Sequence, residues 1–217
     1  MNRGNELKKT LAGLVRFIAL APLLLIGAFG VAALGLAACA QPELPKDHFY
    51  RLNLSPPEAF SSVLLEGVVE VERFSAGGLA AGRPIVYSEA GRPHELLEYH
   101  YHFWTEPPTV MLRDRLVEYL RAAKVADTVV TPEMRVRPDH VLTVKIKRLE
   151  KIAGPHPKAA VKLEMALRQA GGGKLTFLGS YGVEAKAADH SVAAAVEAIN
   201  KALGQIYAKF VADLAGR

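Results

Sequence analysis

Cys39 ends the tetrapeptide Leu36-Ala37-Ala38-Cys39 and is the only cysteine in the 217-residue chain. Upstream, the basic residues Arg3, Lys8, Lys9 and Arg16 precede an uncharged stretch from Phe17 to Ala38, which is the layout of an export signal. A lone thiol in an exported chain has no internal disulfide partner, so its use must be a different one. A large aliphatic residue at −3, small residues at −2 and −1 and cysteine at +1 suit acylation of the thiol followed by cleavage just before it. The spacing predicts Cys39 as the lipid-attachment residue and Ala38–Cys39 as the bond cut on maturation. The 22 residues of Phe17–Ala38 could also span a bilayer, which leaves an uncleaved membrane anchor as the alternative. Pro22 and the glycines at 27, 30 and 35 weaken a long helix and favour the processed leader.

A second group with chemical potential lies in the segment 94–104. His100 and His102 are two residues apart and so project from one face of a strand, with His94 and Glu98 close by in sequence. A zinc site needs three or four converging donors held by a second shell, and the spacing supplies only a pair. The expectation is therefore solvent-facing or interface histidines, a metal site being the alternative. Tyr99, Tyr101 and Phe103 would point the other way, into a core. Ser180 sits in Gly179-Ser180-Tyr181 with no nucleophile elbow around it. Gly171-Gly172-Gly173 fits a hairpin turn, and no strand–glycine loop–helix phosphate motif is present. Glu70 and Glu72 read as a solvated sheet face, and Pro155-His156-Pro157 as a rigid loop. No catalytic residue, metal or cofactor is assigned, and the chain is read as a non-enzyme.

The elements that would carry these residues follow from the remaining pattern. The leader holds four of the 27 Lys and Arg residues and one of the 22 Asp and Glu residues. The mature part, 39–217, is left with 23 and 21, a net charge of +2, too weak a cationic field to suggest a nucleic-acid partner. Its 179 residues suit one core. The organisation expected is a signal peptide over 1–38, a lipidated cysteine with a short tether over 39–46, and one domain over 47–217.

Strands are expected over Phe49–Leu54, Val63–Arg73, a hairpin of Pro84–Ser88 with Leu96–Phe103, and Thr128–Val130. Phe74–Arg83, with three glycines, reads as a loop. Pro107-Pro108 opens a helix whose Leu112, Leu116, Leu120 and Ala123 form one apolar stripe. Three cleanly alternating strands follow, with Leu142, Val144 and Ile146, then Val161, Leu163, Met165 and Leu167, then Leu175, Phe177, Tyr181 and Val183 pointing inward. A long amphipathic helix closes the chain from about Ser191 to Leu214, with Asp189 or Ser191 as its N-cap. The fold class expected is α+β: an antiparallel-rich mixed sheet with two amphipathic helices packed on one face.

Several segments, taken in order, resemble the ABC-type transport auxiliary lipoprotein family, which includes the outer-membrane lipoprotein of the paraquat-inducible transport system. They are His48-Phe49-Tyr50-Arg51-Leu52, Val69-Glu70-Val71-Glu72-Arg73-Phe74, Ile85-Val86-Tyr87, Tyr99-His100-Tyr101-His102-Phe103-Trp104 running into Pro107-Pro108, Asp139-His140-Val141-Leu142, and Ala198-Ile199-Asn200-Lys201-Ala202-Leu203. Phe103 and Ser88 stand where the family often has arginine, so no contact of those arginines is carried over. The resemblance implies a non-enzymatic accessory part of an ABC transport system. Its partner would be a mammalian-cell-entry (MCE) domain protein that carries lipid between two membranes, and a homo-oligomer is possible. The membrane is the other partner, through the N-terminal lipid.

Two other classes compete with this reading. A lipoprotein regulator of cell-wall synthesis would need a long linker to reach the inner membrane. Ala40–Lys46 reaches at most about 25 Å when extended. A periplasmic lipid-binding chaperone would need an apolar cavity beyond a packed core. Ala40, where inner-membrane retention commonly uses Asp, points to the periplasmic face of the outer membrane.

Overall fold

Period-2 alternation over long runs dictates the centre of the molecule: a sheet strand whose every second residue is apolar can bury only one face. The computed structural model describes residues 44–216. In chain order its elements are β1 (His48–Tyr50), β2 (Leu65–Val71), β3 (Ser75–Ala76), a 3-10 turn (Gly78–Ala81), β4 (Pro84–Glu89), β5 (Arg92–Trp104) and helix α1 (Pro108–Ala122). Then come β6 (Ala126–Val130), a second 3-10 turn (Pro132–Met134), β7 (His140–Ala153), β8 (Lys158–Gln169), β9 (Leu175–Lys186) and helix α2 (Val192–Ala215). The expectations for the leader, Ala38 and Cys39 lie outside the described residues.

β7, β8 and β9 form an antiparallel meander in which Ile146 faces Leu163 and Leu163 faces Tyr181. The other edge of β7 is shared by three short parallel partners in succession: β2 at His140–Leu142, β3 at Lys145–Ile146 and β4 at Lys151–Ala153. Beyond β2 lies β6, and beyond β4 lie β5 and then β1. The result is a mixed sheet dominated by its long antiparallel ladders. Both helices feed one core. α2 packs on β8 and β9, α1 lies against β6, and the two helices meet through Tyr207, whose fully buried hydroxyl donates to the Leu112 carbonyl at 3.0 Å. The stripes act as the periodicity requires: Leu112, Leu116, Leu120 and Ala123 are buried on α1, and Val196, Ile199, Leu203, Ile206 and Phe210 on α2. Ser191 caps α2 by accepting from the Ala194 N–H, and Asp189 braces that cap by accepting from the Ser191 N–H.

Several expectations need correction. The first strand is three residues long rather than running over Phe49–Leu54. After Tyr50 the chain leaves the sheet so that Leu52 can enter the core, and the Asn53 N–H bonds to the Asn200 side chain of α2. The loop Phe74–Arg83 contains β3 and a 3-10 turn, and its first residue, Phe74, is buried. Leu175, expected inward, is 53% exposed beside the Gly171–Gly173 turn, because the β8–β9 register slips between Leu167 and Arg168. Tyr101, expected in the core, is 41% exposed. The register explains it: Pro84 faces Phe103 and Val86 faces Glu98, so five steps along β5 match two along β4 and the alternation breaks.

A smaller irregularity sits in β2. Leu65 faces Ala126 and Val68 faces Thr128, one extra residue on the β2 side. Gly67 takes φ +83°, and a Cβ there would stand 2.2 Å from Asp139 Oδ2. Asp139 accepts from the Val68 N–H and Asp127 from the Gly67 N–H, so two carboxylates hold the bulge.

Candidate functional site

The segment singled out for its histidines is the end of β5, and the structure turns it into an aromatic and polar junction. β1 pairs with it in parallel, setting His48 beside His102, Phe49 beside Phe103 and Tyr50 beside Trp104. His48 stacks on His102 with ring centroids 5.0 Å apart, and Phe49 on Phe103 at 5.8 Å. The Tyr50 hydroxyl lies 2.8 Å from His102 Nδ1. Tyr99 meets the edge of the same imidazole at 5.3 Å and packs against Tyr87 at 4.5 Å.

Burial, with help from His48 and Lys151, pushes the His102 imidazole below its usual range. Burial likewise pushes the Tyr50 phenol upward. Both groups are therefore neutral near pH 7, and a neutral phenol can donate to an unprotonated Nδ1. Of the four residues named for a possible metal site, His94 and His100 are exposed and His102 is bound to Tyr50. Among the described residues, no group of three or more His, Cys, Asp or Glu side chains could hold a metal ion. The strand face that carries His102 leads inward to Trp104, which is 2% exposed.

Behind this junction, the end of β7 carries two adjacent buried charges that sequence reasoning did not find. Glu150 and Lys151 alternate to opposite faces of the strand, and both are buried. Glu150 accepts from Arg148 Nε at 2.7 Å and from Ser88 Oγ at 3.2 Å. Arg148 also reaches Glu184 on β9 at 3.1 Å. Lys151 donates to the Tyr99 hydroxyl at 3.0 Å and to the His190 carbonyl, tying the sheet to the lead-in of α2. In sequence, nothing within Leu149-Glu150-Lys151 marks either charge as buried. The signal that could have exposed the burial is Ser88, a small polar residue in the otherwise apolar Ile85-Val86-Tyr87 run, which stands opposite. Arg148 and Ser88 occupy Glu150, and Tyr99 and the His190 carbonyl occupy Lys151, so the arrangement ties neighbouring strands and the lead-in of α2 together.

Fold and site together define an α+β domain with two helices on a mixed sheet and a junction of aromatic contacts where the chain enters. The family model for the ABC-type transport auxiliary lipoprotein component matches residues 50–211, and the chain belongs to that family. Protein XCC0632 from Xanthomonas campestris has a similar crystal structure, with 21% identity, a TM-score of 0.66, and 75% of this chain and 92% of that one covered. A second crystal structure, of an uncharacterized protein, matches at 17% identity and TM-score 0.64, covering 78% and 99% of the two chains. A PelC dodecamer from Paraburkholderia phytofirmans matches at 13% identity and TM-score 0.47, covering 74% and 95%. No curated protein matches the sequence. Membership makes the protein an accessory component of a transport system. Among the described residues, no helix is long and apolar enough to cross a membrane.

Proposed function

We propose that the protein is an outer-membrane lipoprotein that docks or stabilises the periplasm-spanning MCE-domain protein of an ABC-type lipid transport system. The observation that carries this reading is the family match over 50–211, placed directly behind a lipobox-type Cys39 and a short tether. Acylated at Cys39 and retained at the outer membrane, the domain could not reach the inner membrane through Ala40–Lys46, so a partner must cross to it. Tethering to a surface raises the effective concentration of even a weak docking site. The role needs no chemistry from the domain, and the buried Glu150 and Lys151 are each held by partners that tie the fold together. The sheet's apolar face is filled by side chains of the two helices, with Tyr207, Leu203 and Phe210 at 0–1% exposure, which favours docking over carriage of a lipid inside the core.

The anchor is tested by mass spectrometry of the N-terminal peptide together with density-gradient separation of the membranes. The expected result is a diacylated or triacylated Cys39 at the mature N-terminus, in the outer-membrane fraction. A full-length chain with a free thiol, recovered with the inner membrane, would overturn the reading in favour of a transmembrane anchor.

A further inference from the structure

We propose that the outer face of the β1–β5 edge, formed by Phe49, Tyr101 and Phe103 with Arg83, is a surface that lies against the lipid bilayer. The proposal rests on the lipoprotein reading of Cys39. Single exposed apolar residues are ordinary on a protein surface. Here, however, they are grouped and placed. Phe49 is 55% exposed and stacks on Phe103. Tyr101, 41% exposed, lies two residues from Phe103 on the same edge segment of β5. The Arg83 guanidinium lies 5.6 Å from the centre of the Phe49 ring, while its Nε donates to the Trp104 carbonyl at 3.1 Å. An aromatic cluster with an arginine spread over it matches the headgroup region of a membrane, where aromatic rings and long cationic side chains each keep one end apolar and one end wet.

Position selects the occupant. The described chain begins at Leu44, which is 87% exposed, and enters the domain at β1, so Phe49 is ten residues from Cys39. Ten residues extend to at most about 35 Å, comparable with the diameter of a domain this size. A bilayer holding the acylated cysteine therefore meets first the edge where the chain enters, and that edge is the one bearing the aromatic cluster. In sequence next to the residues of this edge, Lys46, Arg51 and Arg83 are exposed, and so are Asp47 and Glu106. Leu178, 62% exposed, lies on β9, an edge strand that does not pair with β1 or β5, and serves as the reference position.

The test uses the full acylated protein in vesicles of phosphatidylethanolamine and phosphatidylglycerol. Acylation consumes the thiol of Cys39, so a nitroxide label attaches only at an introduced cysteine. Phe49→Cys, Tyr101→Cys and Leu178→Cys are compared by collision with oxygen, which partitions into lipid, and with a water-soluble nickel chelate. The proposal predicts an oxygen-to-nickel ratio several-fold higher at 49 and 101 than at 178. Ratios at 49 and 101 as low as at 178, in protein whose Cys39 is shown to be acylated, would overturn the membrane face and leave the lipoprotein reading intact. Labels at 49 and 101 shielded from both reagents in lipid-free detergent, in proportion to protein concentration, would overturn it in favour of a second copy. A free thiol at Cys39 would remove the anchor and overturn both.

Discussion

The two ends of the sheet are held by different physics. At one end, β8 and β9 lie under α2, and side chains such as Leu163, Met165, Phe177 and Phe210 are buried in a regular ladder. At the other, β4, β5 and β1 meet the end of β7 through a broken register, stacked aromatic rings and a set of paired charges. The first region gains its stability from apolar area and tight packing, the second from hydrogen bonds whose worth depends on every partner being present. Stability therefore sits with α2, and sensitivity to conditions with the junction where the tether enters.

The largest expected effect tests the packed end. Leu163 on β8 is fully buried, and Leu163→Ala should cost about 2–5 kcal/mol in urea unfolding, through lost transfer energy and a residual cavity. A loss comparable with that of a surface change would break the comparison. At the polar end, Arg148→Ala leaves Glu150 buried with only Ser88 for a partner and should cost about 1–3 kcal/mol. Adding Glu150→Gln to Arg148→Ala should recover part of that loss, since the stranded charge is then gone. No recovery would mean that packing rather than charge holds this corner.

Tyr50→Phe removes one side-chain hydrogen bond to His102 while keeping the ring, for an expected loss of about 0.5–1.5 kcal/mol. Hydrogen exchange at β1 should report the change more strongly than exchange at β8. The smallest effect is a pH dependence. The His102 pKa is held below 6.5 in the folded state by burial, so its contribution is complete above that value and is lost as the pH falls through the folded-state pKa. Protection of the β1 amides should fall in that window, and His102→Gln should flatten the dependence. An unchanged profile in the variant would assign the effect to another group.

The difference between the two ends also decides what could be read in the sequence. The strands around Leu142–Ile146, Val161–Leu167 and Phe177–Val183, both helices and the Ser191 cap were legible because each satisfies one period and one partner at a time. The family was legible in the order of soft motifs across the whole domain. The inward placing of Tyr101 and of Leu175 failed where register slips, since one extra residue reverses every following side chain. Glu150 and Lys151 were missed for another reason: both faces of β7 are covered at its end, and only tertiary structure brings Ser88, Tyr99 and the His190 carbonyl to them. The parallel partners of β7 were equally hidden, because they arrive through crossovers that no local pattern records.

The claim that the domain docks a transport partner at the outer membrane is tested most directly by affinity capture from solubilised membranes, comparing the wild type with Cys39→Ala. The account predicts that the wild type retrieves an MCE-domain protein and that the variant, folded but left unprocessed or released into the periplasm, retrieves much less of it. Capture of no MCE-domain protein by the acylated wild type would contradict the account.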